Sequence, residues 1–286
     1  MRTLESARVS ILGKSFQVFG YSDDTTFQEI GKAGTWNKFN LDHLKSLISS
    51  DDICLDLGAN HGMMTLAMSV IAHHGHIFAF EASPDTAAAL QETVRANSIQ
   101  NVSASNVVVG RSAQAVKFFD MTDTRSSGHY VPMEMPVDTP AVGQDAFQIV
   151  NAQTRSVDEI VRALSLSKLD FIKIDVEGAE LDVIEGAVET FRRFLPTVAL
   201  EFNSYAFVHY RELAPRIVLR RIFEVFEQVY YFKNRTGALT RLVDRERERE
   251  QFLHNNLFNG FVDDLLCVFS ETRAVRSGAL EALEAP

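Results

Sequence analysis

The sequence predicts a doubly wound α/β fold, a mostly parallel sheet with helices on both faces. Three observations predict it. Short apolar runs of strand length alternate with helix-length segments through the middle of the chain, the pattern of parallel strands joined by crossover helices. A glycine-rich turn, Gly58-Ala59-Asn60-His61-Gly62, links the first of these runs to the helix after it. Acids close the runs, at Asp56, Glu81 and Asp175, and in such sheets ligands bind beyond the carboxyl ends of the strands.

Met1 to Ser50 reads as an N-terminal helical cap, with a short β-like start and a helix from about Asn40 to Ser49. Residues 51–270 read as the main domain and 271–286 as a tail. Within the domain Asp52 to Leu57 is the first strand, and Met63 to Ala72 a buried helix that closes near Gly75. Ile77 to Phe80 is the second strand. Ser83-Pro84 opens the next helix, with serine at the N-cap and proline at the first helical position, and that helix runs toward Asn97. Val102 to Val109 is the third strand, with Val116 to Phe119 a possible hairpin partner. Residues 120–154 are polar, hold Pro132, Pro136 and Pro140, and show no sustained periodicity. A loop this long inside a domain is functional or disordered, and it reads as a lid-like insertion.

Ser156 to Leu166 then reads as a helix and Leu169 to Ile174 as a strand. Leu181, Ile184, Val188, Phe191 and Leu195 fall on one face of the next helix. Thr197 to Phe202 is the fifth strand, Leu213 to Phe226 a helix, and Val229 to Phe232 and Leu265 to Phe269 the last two strands. The run Asp244 to Glu250 reads as a solvated helix face or loop. No internal repeat is found.

Composition bounds the function. The chain has 286 residues, 46% hydrophobic and 23% charged, with Gly 15 and Pro 7, an ordinary globular composition. Its formal charge of −10 argues against a nucleic-acid partner, which needs a basic footprint. No apolar run is long enough to span a bilayer, and the first residues lack a secretory pattern. Cys54 and Cys267 sit in strand-like runs and read as buried, inert thiols. The expectation is a reduced, soluble, cytoplasmic protein.

The chemistry gathers at three places. Gly58 and Gly62 let a backbone approach a ligand closely, and the helix that follows offers unpaired N–H groups. Glu81, ending the second strand, can accept both hydroxyls of a ribose. A dinucleotide site would want G-x-G-x-x-G; here an acid, Asp56, precedes the loop. That suits an ammonium or sulfonium group better than a pyrophosphate, and S-adenosylmethionine has both, plus a ribose. The third place is Asp170-Phe-Ile-Lys173-Ile-Asp175-Val-Glu177-Gly-Ala-Glu180. Acids at a helix start are often capping partners, which accounts for Glu180. Lys173 within a central strand is costly unless paired; pairing with Asp175 or Glu201 at the crevice resolves it.

The strings Asp56-Leu-Gly-Ala-Asn-His-Gly62, Phe80-Glu-Ala-Ser-Pro84 and Phe171-Ile-Lys-Ile-Asp-Val-Glu-Gly-Ala-Glu180 resemble the FkbM-type S-adenosylmethionine-dependent methyltransferases. The first two are shared with many class I methyltransferases. The resemblance runs from about Leu44 to Phe202 and implies a seven-stranded, Rossmann-like sheet and methyl transfer to oxygen, on sugars, glycans or polyketide-type natural products. It places Asp56, Gly58, Asn60 and Gly62 at the methionine part of the cofactor, Glu81 with Ser83 nearby at the ribose, and Asn106 with Val107 at the adenine edge. Ala82 stands where proline is usual. His61 stands where a small or apolar residue is usual, and adds polarity near the cofactor tail.

The reaction expected is displacement of the sulfonium methyl by an acceptor hydroxyl, with a base drawn from Asp175, Glu177 and Glu201 and with His209 behind them. No metal is expected, since Lys173 already supplies a counter-charge. His73, His74 and His76 read as a surface turn, His129 as a possible pocket residue and Trp36 as packing. Two other classes stay open: a nucleotide-dependent oxidoreductase on the same architecture, and a non-catalytic cofactor-binding protein.

Overall fold

A computed structural model describes residues 3–35, 41–121, 128–133, 147–232, 239–258, 260 and 262–284. The chain opens with a hairpin, β1 (Leu4–Ile11) and β2 (Lys14–Tyr21). Val9, Ile11, Phe16 and Val18 alternate inward, and the two turn residues Leu12 and Gly13 both have positive φ, the geometry that matches strand twist. Helices α1 (Thr25–Ala33) and α2 (Leu41–Leu47) follow. The N-terminal cap is therefore a hairpin plus two helices and not purely helical, because period-two burial outweighs helix propensity there. Trp36 lies outside the described residues.

Strand β3 (Ile53–Leu57), helix α3 (Met63–Ile71), strand β4 (His76–Glu81), helix α4 (Pro84–Ala96) and strand β5 (Val102–Asn106) come next. Ser83 caps α4 as expected, accepting from the Thr86 N–H. The third expected strand is broken: beyond Asn106 the chain leaves the main sheet, and β6 (Val108–Val109) joins a second one. In that sheet β7 (Ala115–Met121) pairs antiparallel with β8 (His129–Pro132) and β9 (Phe147–Arg155), so Val116 to Phe119 is not a hairpin partner of the third strand. The described parts of the 120–154 insertion are thus paired strands, not a structureless loop. Asp123, Arg125, Ser126, Ser127, Pro136 and Pro140 lie outside the described residues.

The second half adds α5 (Val157–Ala163), β10 (Phe171–Ile174), α6 (Glu180–Glu185), α7 (Val188–Phe194), β11 (Thr197–Asn203), α8 (Ser204–Arg211) and α9 (Pro215–Val225). The helix read from Leu181 to Leu195 is two helices. A side chain at Gly186 would meet the Gly110 carbonyl at 2.5 Å, and Asp158 caps α7 by accepting from the Glu189 and Thr190 N–H groups. The chain ends with β12 (Gln228–Phe232), β13 (Leu239–Leu242), α10 (Glu246–Phe258), β14 (Val262–Val268), α11 (Arg273–Arg276) and α12 (Ala279–Glu284). The alternating acids and arginines at 244–250 lead into and open α10.

Among the described residues the main sheet has eight strands, in the order β13-β12-β14-β11-β10-β3-β4-β5. That is one more strand than expected, and the sheet is mixed: β3, β4, β5, β10 and β11 run parallel, while β14 lies antiparallel to β11 and β12, and β13 to β12. The short edge strand β13 escapes a sequence reading because four residues carry too little periodicity. Alternate residues feed two cores. Leu55, Leu57, Ile172, Ile174, Val198 and Leu200 pack on one face with α5, α6, α7 and α9. Cys54, Phe171, Ala199 and Leu266 pack on the other with α2 and α3. Both cysteines are free and buried, on strands separated by β10 and β11. No described helix is long and apolar enough to cross a membrane.

The capping box of α5 is a local test of this reading. Ser156 accepts from the Glu159 N–H while the Glu159 carboxylate accepts from the Ser156 N–H. Ser156→Ala should cost about 1 kcal/mol, read as a lower urea midpoint at unchanged slope.

Candidate functional site

Strand register assembles the site. Lys173 lies opposite Asp56 across β10–β3 and Glu201 opposite Asp264 across β11–β14. Side chains alternate along a strand, so Asp56, Lys173, Glu201 and Asp264 share one face near the carboxyl end of the parallel strands. A cavity of about 850 Å³ opens there.

One side of the cavity is the turn after β3. A Cβ on Gly58 would fall 1.7 Å from the Asp175 carbonyl oxygen, and one on Gly62 would fall 2.4 Å from Leu90; both glycines have φ +83°. Glycine is required at both by space and by conformation. Asp56 is buried and accepts from Thr65 Oγ1 at 2.5 Å; burial pushes its carboxyl up to about 6. Glu81 accepts from the Asn60 N–H through Oε2 and from the Ser83 N–H through Oε1, each at 2.8 Å. Burial pushes Glu81 up to about 7. Each of its oxygens keeps a lone pair for a further donor.

Not every expected residue reaches the cavity. Asp56, Gly58, Asn60, His61, Glu81 and Val107 line it. Gly62, Ser83 and Asn106 are not in its wall and act behind it. Ser83 Oγ donates to Asp120 at 3.0 Å, and Asn106 Nδ2 donates to the Glu81 and Ala82 carbonyls. The His61 side chain is turned to Asp24, the N-cap of α1, with Nε2 to Oδ2 at 2.9 Å and both residues buried. It therefore ties the Gly58–Gly62 turn to the N-terminal helix.

Opposite stand the acids. Asp175, Glu177 and Glu201 offer carboxylate oxygens within 4.8 Å of one another, an arrangement able to hold a cation. Lys173 Nζ reaches Asp175 at 3.1 Å and Asp264 at 3.9 Å. Burial alone would lower the Lys173 pKa, but Asp175, Asp264 and Glu201 raise it, so it stays an ammonium. Burial, together with the Asp175 and Glu177 charges, holds Glu201 well above the usual carboxylate range. His209 is corrected: it lies on the exposed face of α8, stacked on Tyr205, and takes no part in the cavity wall. Its helical neighbours Tyr205 and Tyr210 do.

The insertion supplies Gly128 and Tyr130 to the wall, and β7 before it supplies Phe118. Tyr130 is pinned: its hydroxyl donates to Asp182 at 3.0 Å, and Arg211 donates to its carbonyl at 3.0 Å. His129 stacks between Phe119 and Tyr210 behind that wall. His73 and His74 are exposed on the α3–β4 turn, and His76, at the start of β4, bonds Ser103. Sequence reading missed Thr65, Asp263, Asp264 and the two tyrosines. The Asp263-Asp264 pair before an apolar strand was the available signal.

The Methyltransferase FkbM domain profile matches residues 56–239, from the acid of the cofactor turn to β13. The chain belongs to the FkbM-domain methyltransferases. A curated relative, "Methyltransferase 1" of Beauveria bassiana (strain ARSEF 2860), is 25% identical over 162 residues, 53% of this chain and 64% of that protein. A crystal structure of Methyltransferase FkbM from Methylobacillus flagellatus KT is similar over 77% of this chain and 44% of that chain, at 14% identity and TM-score 0.46. A T. thermophilus 16S rRNA methyltransferase in complex with AdoMet and guanosine is similar over 93% of this chain and 50% of that chain, at 13% identity and TM-score 0.42. Both TM-scores lie below 0.5, and the family assignment rests on the domain match. Part of this FkbM-domain chain's cavity lies outside the matched span, at Thr26, Glu29 and Ile30 of α1 and at Val262, Asp263 and Asp264 of β14.

The raised carboxyls of Asp56, Glu81 and Glu180, at about 6, 7 and 7, set the sign of a pH effect. Each binds its proton more tightly in the folded state, so the stability they contribute is full in acid and is lost as pH rises toward 7. The ligand-free protein should melt higher at pH 5.5 than at pH 7.5, and Glu81→Gln should flatten that slope. A wild-type melting temperature that climbs over the same interval would contradict it.

Proposed function

We propose that the chain is an S-adenosylmethionine-dependent O-methyltransferase acting on a hydroxyl of a sugar, glycan or polyketide-type acceptor. The observation that carries the reading is the pairing of two chemistries across one cavity. On one side Glu81 stands beside the glycine-framed turn as an acceptor for ribose hydroxyls. On the other lies a carboxylate group around Lys173. The donor set fits the cofactor: Asp56 and Asn60 suit its methionine part, and Val107 with Ala82 offers an apolar edge to the adenine. When bound, the cofactor supplies a methyl group already activated on sulfonium.

The chain's own residues then have separable tasks. Glu81 and the Gly58–Gly62 turn orient the cofactor, and proximity supplies much of the rate. Asp175, at the cavity and paired with Lys173, takes the acceptor's proton, with Glu177 beside it. Glu201, held above the usual carboxylate range by burial and by its acidic neighbours, is the weaker candidate for that base role only when protonated, and it accepts from Asn203. Lys173 supplies the counter-charge, and the reaction runs without a metal. Phe118, Tyr130, Tyr205 and Tyr210 wall the acceptor side, which gives the insertion a part in acceptor choice.

Incubation with S-adenosylmethionine and a panel of glycans and polyketide-type alcohols, with EDTA present, should yield products heavier by one methyl group. A rate abolished by EDTA and restored by Mg²⁺ would overturn metal independence. Glu81→Ala should weaken cofactor binding by about 1.5–3 kcal/mol, roughly 10- to 150-fold, in a folded protein; calorimetry checks it, and unchanged affinity sinks the assignment. Asp175→Asn should lower kcat with near-normal cofactor affinity, whereas a loss of binding in step with rate would move Asp175 to the cofactor side.

A further inference from the structure

The Asp175–Glu180 segment holds one acid that the chemistry above does not use. Glu180 is fully buried. Its Oε1 reaches backward, accepting from the Val176 N–H at 3.1 Å and the Gly178 N–H at 3.3 Å. Those donors lie in the turn before α6. The turn needs such a clamp, since Glu177 has φ +51° and Gly178 has φ +97°, and a left-handed conformation is unfavourable for a glutamate. Oε2 is buried with no hydrogen-bond partner among the described residues, so the carboxyl is kept there despite an unsatisfied atom.

The other side of the turn is equally tight. The Asp175 N–H donates to the Leu57 carbonyl at 2.9 Å, and the Asp175 carbonyl packs on Gly58 with no room for a Cβ. At the far end a Cβ on Gly178 would sit 3.0 Å from the Ala206 carbonyl of α8. A shift of this turn therefore displaces the cofactor loop on one side and the Tyr205–Tyr210 helix on the other.

We propose that Glu180 is a positioning residue: it clamps the Asp175–Gly178 turn and, through the Asp175 carbonyl packed on Gly58, sets the backbone of the cofactor loop. The inference rests on the reading that this loop holds S-adenosylmethionine. Burial lifts the Glu180 carboxyl to about 7, so the neutral acid is accessible near neutral pH. Glutamine, with the same length and an acceptor oxygen, should replace it.

The test compares Glu180→Ala, Glu180→Asp and Glu180→Gln with the wild type. It uses calorimetric titration with S-adenosylhomocysteine, hydrogen exchange at the Val176 and Gly178 amides, and melting temperature. Alanine and the shorter aspartate should lose protection at both amides and bind about tenfold more weakly, the scale of one lost hydrogen bond to a charged group. Glutamine should keep protection and bind within about threefold of wild type. A lower melting temperature with unchanged affinity in the alanine and aspartate variants would make Glu180 a stability residue and overturn the proposal. So would a folded glutamine variant as weak as alanine. If alanine fails to fold, the aspartate–glutamine contrast decides. A wild type that binds neither S-adenosylhomocysteine nor S-adenosylmethionine would sink the cofactor reading, while retained exchange protection in the alanine variant would sink the clamp itself.

Discussion

A buried ammonium on the central strand sets the terms for everything around it. Lys173 is 3% exposed, and a charge held there is tolerable only with close partners. Asp175 and Asp264 meet that requirement from a turn and from an antiparallel strand. The partners then act on each other. Burial, and then the Asp175 and Glu177 charges, push Glu201 toward its neutral form, and Lys173 opposes that shift. One buried cation thus requires acids close around it, and burial with mutual repulsion holds one of them, Glu201, above the usual carboxylate range.

Much of this was legible in the sequence because it is written locally. The glycine turn, the Ser83 and Ser156 caps and the acids ending β3 and β4 are each set by residues a few positions apart. Lys173 stands out as a charge in an apolar run, and its cost calls for an acidic partner, Asp175 or Glu201, of which the structure gives the ion pair to Asp175. What stayed hidden depends on distant contacts. Gly186 breaks the Leu181–Leu195 helix because Gly110 passes against it. The His61 side chain points to Asp24, 37 residues earlier. His209 was placed near the right end of the sheet but could not be assigned a direction until α8 was known to be a helix.

The same division appears in how the molecule is tied together. At the opposite end of the sheet Arg273 of α11 bonds Asp52 just before β3, fastening a C-terminal helix to that strand, and Lys168, before β10, bonds Asp51. On the cavity side Asn256 of α10 donates to Asp263 at 2.8 Å and to the Phe202 carbonyl, and accepts from Ser204. Those bonds join α10, β14 and the start of α8, the elements that carry Asp264 and Tyr205 in the wall.

The charge of the cavity wall follows the division between matched and unmatched residues. The family match ends at residue 239 and begins at 56, so the turn, Glu81, Lys173 and Asp175 lie inside it, while Glu29, Asp263 and Asp264 lie outside. The added charged wall residues are all acids, facing a cavity that already holds Asp56, Glu81, Asp175, Glu177 and Glu201 against Lys173 among its described lining residues. A phosphorylated or sulfated acceptor would enter against like charge in a partly desolvated space, where Coulomb repulsion is poorly screened. A neutral polyol meets no such barrier and finds many hydrogen-bond acceptors for its hydroxyls, with aromatic faces at Tyr205 and Tyr210. The elements outside the matched span therefore add only negative charge to the described cavity wall, and the one lysine among the described lining residues lies inside the span.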